Sequence, residues 1–203
     1  MSNPNMHDEQ LPKRIAITGK EGSGKDSLGN LLEERTGYLH ISAGDVLRER
    51  AREQGHTDPI PREILSQVGD EMKKEFGPSP IIESTLKKYE LLQVEFPAGV
   101  VISGLRRIGE LKAFKARGAI SVWIECDDEK RFVNIINRAR GDEQTRDVFT
   151  AKSKEEYNGT TQGGEDGVNL QAIEQLADCR IDNNGTLDEL YEKATIALTK
   201  FTR

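Results

Sequence analysis

The sequence predicts a three-layer α/β/α domain built on a five-stranded parallel sheet, and three observations carry that expectation. Short apolar runs recur at 14–18, 38–42, 99–103, 119–126 and 178–182, with amphipathic stretches between them. Two of these runs, VVIS and ISVWIEC, are almost continuously apolar or β-branched, as strands covered on both faces must be. Strands alternating with helices make βαβ units, which close into a parallel sheet with helices on either side. At 203 residues the chain is long enough for one substantial core, and no internal repeat or low-complexity tract divides it. One domain over 13–203 is expected, preceded by a disordered tail at 1–12.

Residues 14–28 read RIAITGKEGSGKDSL, a strand that runs into a glycine-rich loop and then a helix. Glycines at 19, 22 and 24 let the chain curl with its N–H groups inward, and the helix N-terminus adds positive dipole character at the same place. The spacing matches G-x-x-x-x-G-K-[ST] at Gly19, Gly24 and Lys25. Gly19, Glu21, Gly22, Ser23, Gly24, Lys25, Asp26 and Ser27 are therefore expected to cradle the phosphates of ATP, with Lys25 reaching the β and γ groups. Asp26 stands where the pattern has Ser or Thr, whose hydroxyl normally binds Mg²⁺. A carboxylate is a hard-oxygen ligand that suits the ion, directly, through water or with help from Ser27. Asp26 reads equally as a first-turn acid facing the helix dipole, and both readings stay open.

The second strand leads into HISAGDVLRER, and an arginine one helical turn beyond a strand end presents a fork that fits phosphate. Residues 55–96 carry a Pro-rich entry and then helical material broken at Gly77-Pro78-Ser79-Pro80, too long for a simple crossover. A helical lobe over about 44–96 is expected there. The stretch 140–168 holds few large apolar side chains and is rich in Gly, Asp, Glu and Thr. It reads as a mobile lid, counted from about 138, with one short helix near 147–157. A stripe of Phe132, Ile135, Ile136 and Ala139 precedes it, and another of Leu187, Leu190, Tyr191, Ala194, Leu198 and Phe201 makes the last helix.

Composition bounds the partners. Charged residues make up 32% of the chain, aromatics 5%, and the net charge is −6, which argues against a general nucleic-acid or membrane-surface binder. Two separated cysteines suit a reducing compartment, and residues 1–12 contain no apolar core of a signal peptide, so a cytoplasmic location is expected; monomer and homodimer both stay open, since no sequence feature fixes the oligomeric state. His7, His40 and His56 share no metal-ligand spacing and read as surface or core residues.

Ser42, Gly44, Asp45 and Arg48 resemble the S-x-G-D-x-x-R signature of the nucleoside monophosphate kinases, the adenylate kinase family of P-loop enzymes. The resemblance implies a strand order of 2-3-1-4-5, with Asp45 near the metal and phosphates and Arg48 gripping the acceptor's phosphate. Asp26 and Asp45 are then the possible Mg²⁺ ligands. In this family the third strand ends in an aspartate, the Walker B position, followed by Gly and an arginine. Here VVISGLRR puts Ser103 in place of the aspartate, with Arg106 as the favoured phosphate-contacting arginine and Arg107 as its alternative. The resemblance also implies that Arg138 and Arg140 act as lid arginines on the transferred phosphoryl group, although arginines ending a helix also simply complement its dipole. The stretch LADCRIDNNGTLDEL resembles the last strand and turn of dephospho-CoA and related kinases, which brings the backbone around Asn183–Gly185, with Asn184 at its centre, toward the adenine; an ordinary Asn-Gly turn fits the same residues.

Transfer of phosphate from ATP to a nucleoside or deoxynucleoside monophosphate is the function this pattern implies. A dephospho-CoA kinase or other small-metabolite kinase is the alternative. A P-loop ATPase or nucleotide sensor is the other, favoured by the loss of the Walker B carboxylate.

Overall fold

The computed structural model describes residues 11–137, 145–159 and 167–202. Five strands pair in parallel in the order β2-β3-β1-β4-β5, where β1 is Arg14–Gly19, β2 Tyr38–Ser42, β3 Gly99–Ser103, β4 Ile120–Glu125 and β5 Cys179–Asp182. The expected order is the observed one. β1 lies at the centre, with Ile17 level with Ser103 on one side and Val122 on the other.

Side-chain alternation along the strands sorts the core into two faces. Ile15, Ile17, Val101, Val122 and Ile124 pack to one side, against Leu28 and Leu32 of α1 (Lys25–Thr36) and Leu190, Ala194 and Leu198 of α9 (Leu187–Thr199). Ala16, Ile102 and Trp123 pack to the other, against Ile81 and Ile82 of α4 (Pro80–Leu92), Leu111 and Phe114 of α5 (Ile108–Lys115) and Ile173 of α8 (Leu170–Leu176). Helices on both faces make three layers.

Between β2 and β3 run α2 (Ala43–Glu53), α3 (Arg62–Phe76) and α4, with a small core of Ala51, Val68 and Met72 of their own. Gly77 and Pro80 end α3 and start α4 where the Gly-Pro-Ser-Pro break was read. After β4 come α6 (Asp128–Asn137) and α7 (Arg146–Asn158), the latter capped by the Thr145 hydroxyl. The sparse apolar content of 140–168 suggested a segment with nothing to bury, yet Phe149 of α7 is 4% exposed and stacks on Phe132 of α6, 5.5 Å between ring centres. The half-buried Phe132 ring and the Arg131 guanidinium, 5.0 Å from the Phe149 ring centre, give this helix a seat that a count of apolar residues did not show. Of the expected disordered tail, Leu11 packs on the core and the Pro12 carbonyl accepts the Tyr38 hydroxyl at 2.8 Å; residues 1–10 lie outside the described residues. No helix among the described residues is long and apolar enough to cross a membrane.

Candidate active site

The carboxyl ends of β1, β2 and β3 meet at one edge of the sheet, the edge where open parallel sheets bind ligands. There the chain leaves β1 through 19–25 and enters α1. Gly22 (φ 76°) and Gly24 (φ 96°) adopt left-handed backbone, and neither position has room for a side chain. A Cβ on Gly22 would lie 2.5 Å from the Arg131 carbonyl, and one on Gly24 would lie 2.3 Å from Asn183 Nδ2.

Three side chains hold the outer surface of this loop. Arg131 Nε donates to the Glu21 carbonyl at 2.8 Å, Asn134 Nδ2 to the Gly22 carbonyl at 2.8 Å, and Asn183 Nδ2 to the Ser23 carbonyl at 2.8 Å. Consecutive carbonyls are thereby engaged from outside. Inside the loop, Lys25 Nζ donates to the Lys20 carbonyl at 2.8 Å and is 8% exposed, and Ser23 Oγ is buried without a hydrogen-bond partner among the described residues.

At the start of α1 the two departures from the motif touch one another. Ser103 Oγ, at the end of β3, donates to Asp26 Oδ1 at 2.7 Å. His40 of β2 places Nε2 2.9 Å from the same Ser103 oxygen and Nδ1 2.8 Å from the Asn30 side-chain oxygen. Since Ser103 has one proton and gives it to the carboxylate, Nε2–H is the donor to Ser103, and Nδ1 of the neutral ring is then an acceptor, met when the Asn30 amide turns its NH₂ toward it. Burial holds the His40 pKa below its usual value against the opposing pull of Asp26, Glu33 and Asp45. No cluster of three His, Cys, Asp or Glu side chains able to hold a metal exists among the described residues. The donor set at Asp26 fits Mg²⁺, an ion that takes one or two carboxylates and completes its shell with water and substrate phosphate.

A cavity of about 420 Å³ opens above the loop, lined by Lys25, Asp26, Arg48, Arg106, Arg107 and Glu110 among others. Each arginine is paired with an acid: Arg48 with Asp45 at 2.6 Å, Arg106 with Glu156 of α7 at 2.5 Å, and Arg107 with Asp70 of α3 at 2.9 Å. Glu110 is 5% exposed; burial raises its pKa, against Arg107 and Lys73, which lower it. Asp45 lies on a smaller cleft with His40 and Ser42, not on this cavity. Asn184 is occupied by Asp182 of its own turn, to which it donates at 2.7 Å, and by the Asp127 amide between β4 and α6, from which it accepts at 2.9 Å. Ser27 lies in the first turn of α1 and is half-buried. Arg138 and Arg140 lie outside the described residues.

A UPF0200 protein of Pyrobaculum aerophilum is 31% identical over 132 residues, 64% of this chain and 68% of that protein. An adenylate kinase of Prochlorococcus marinus is 30% identical over 136 residues, 66% of this chain and 72% of that enzyme. The chain belongs to the P-loop nucleoside monophosphate kinase-like superfamily. No protein-family model matches it. A gluconokinase from Sinorhizobium meliloti shares the fold, with a TM-score of 0.52 at 20% identity over 94% of each chain.

For this P-loop kinase-like protein the sequence pointed to the inner surface of the phosphate loop and missed its outer one. Arg131, Asn134 and Asn183 carry no motif. Their only sequence signal is the i, i+3 spacing of Arg131 and Asn134 on the helix after β4, which puts two donors on one face.

Proposed function

We propose that the protein transfers a phosphoryl group from ATP to a nucleoside or deoxynucleoside monophosphate. The observation that carries this reading is the arrangement of the cavity: a pinned phosphate loop on one side, and Arg48, Arg106 and Arg107 on the others. Two sets of phosphate-binding groups facing one space suit a reaction that joins two phosphorylated molecules. The kinase named among its relatives agrees with the reaction class.

In this reading the loop amides and Lys25 hold the β and γ phosphates, and α2 to α4 form the acceptor lobe over about 44–96. Arg48 binds the acceptor phosphate through its fork-shaped guanidinium, with Arg107 beside it. An acceptor phosphate oxygen attacks the γ-phosphorus as the bond to the β–γ bridging oxygen breaks, and ADP leaves. The acceptor oxygen is already ionised, so no proton need be removed. Charge on the equatorial oxygens is met by Lys25, Arg106 and, from the lid over about 138–168, Arg138 and Arg140. Asp26 would hold Mg²⁺, which when bound neutralises charge on the β and γ oxygens. With the lid closed, water is kept from competing as acceptor.

The test is ADP release from ATP across a panel of nucleoside and deoxynucleoside monophosphates and dephospho-CoA. Release that depends on a nucleoside monophosphate is expected. Release at the same rate without acceptor would make the protein an ATPase, and release with dephospho-CoA alone would reassign the acceptor.

A further inference from the structure

Taken singly, Asp26 and Ser103 are each a defect in a magnesium site: a carboxylate where the loop needs a hydroxyl, and a hydroxyl where Walker B needs a carboxylate. Their side chains meet at 2.7 Å. We infer that Asp26 and Ser103 have exchanged roles, so that the carboxylate and hydroxyl of one divalent-cation site are kept but the carboxylate comes from the start of α1 and the hydroxyl from the end of β3, with His40 fixing the Ser103 hydroxyl. The inference rests on the nucleotide-binding reading of the loop.

Charge decides why the two positions depend on each other. Two hydroxyls would leave the site with no anionic ligand of its own, whereas Mg²⁺ is held through one or two carboxylates. Two carboxylates this close would repel, and one would resist ionisation. Only the mixed pair gives one negative charge and one neutral donor.

His40 makes the exchange specific. Ser103 is fully buried, its proton is committed to Asp26, and its oxygen accepts from His40 Nε2–H. The imidazole in turn lies against Gly29 of α1, where a Cβ would come within 2.3 Å of Nε2. Glycine inside a helix costs about 1 kcal/mol relative to alanine. At this position that cost has a local reason: the seat of His40.

The probe is Mn²⁺ with ADP on the full chain. Calorimetry gives the ADP Kd with Mn²⁺ and with EDTA, and their ratio measures metal coupling without reference to turnover. D26S and S103D should each lower that ratio about tenfold or more, and D26S/S103D should bring it back to within about threefold of the parent. H40A should lower it less, and H40Q, whose amide can still donate to Ser103, should recover most of that loss. If S103D fails to melt cooperatively, D26N and S103A carry the test. D26N must then lose the coupling while keeping its EDTA affinity, and S103A must lose part of it. A double variant no better than the weaker single, or D26N with full coupling, overturns the exchange. A parent protein that binds ADP in neither condition overturns the nucleotide reading itself, an outcome visible before any variant is made.

Discussion

The two sides of the cavity are held by different chemistry. Below, the phosphate loop is fastened by side-chain donors to consecutive carbonyls, with Arg131 only 1% exposed and Asn183 only 3% exposed. Above, Arg48, Arg106 and Arg107 are each held by a carboxylate, and Asp45 and Asp70 are 64% and 59% exposed. Buried hydrogen bonds to backbone have no competitor when water is excluded. Ion pairs open to solvent contribute little, and an incoming phosphate can replace the acid. For the proposed reaction, the lower side would be prebuilt for one ligand, while the cations of the upper side rest on acids that an incoming substrate phosphate would displace.

That contrast is open to breakage at several points. The largest effect is expected from K25A, which removes the cation inside the loop: turnover should fall about a hundredfold or more, with the melting temperature near that of the parent. Turnover within a few fold of the parent would mean that this loop does not hold the reacting phosphates. R131M comes next. It strands the Glu21 carbonyl and leaves Ser153 Oγ, 2.7 Å from the guanidinium, without its donor, so chemical denaturation should show a loss of about 2 kcal/mol. On the upper side, R48A should raise the acceptor KM about tenfold or more while the ATP Kd changes little, since a hydrogen bond to a charged group contributes about 1.5–3 kcal/mol. A change confined to ATP would put Arg48 on the wrong side of the cavity. D70N should cost less than about 1 kcal/mol of stability; a loss equal to that of R131M would erase the distinction between the two sides.

The smallest effect is one of pH. His40 has a folded pKa below its usual 6.5, so the unfolded chain takes up the proton first as pH falls. Its contribution to stability is complete above about pH 6.5 and is lost as pH drops toward the lower folded value. The melting temperature of the parent should therefore fall more between pH 7.5 and pH 5.5 than that of H40Q. Parallel curves would mean that His40 is not buried in its neutral form.

Much of this architecture was legible in the chain. The five strands, the paired helices at 62–92 and the phosphate loop each have a local signal: an apolar run, a glycine spacing, a Gly-Pro break; the strand order came from the family resemblance instead. What local signals do not carry is pairing across distance. Asp26 and Ser103 read as separate losses because nothing in the sequence says they touch, and His40 read as an ordinary surface or core histidine because its partners are Ser103 and Asn30, neither at metal-ligand spacing. Asn183 was noted only as part of an adenine-facing turn, while its amide in fact supports the loop from 160 residues away. Phe149 shows the same limit for packing, since its ring is buried against α6 in a stretch whose residue count offered little to bury.

The distances along the chain between the loop and its fasteners have a consequence for biosynthesis. Arg131, Asn134 and Asn183 lie 110, 112 and 160 residues beyond the carbonyls they hold. Synthesis proceeds from the N-terminus at about 5–20 residues per second, so the phosphate motif leaves the ribosome many seconds before its last support does. A nascent chain ending at residue 170 carries every letter of the motif without the turn that completes its mould. Nucleotide affinity in this protein is accordingly a property the ribosome delivers last, although it is encoded first.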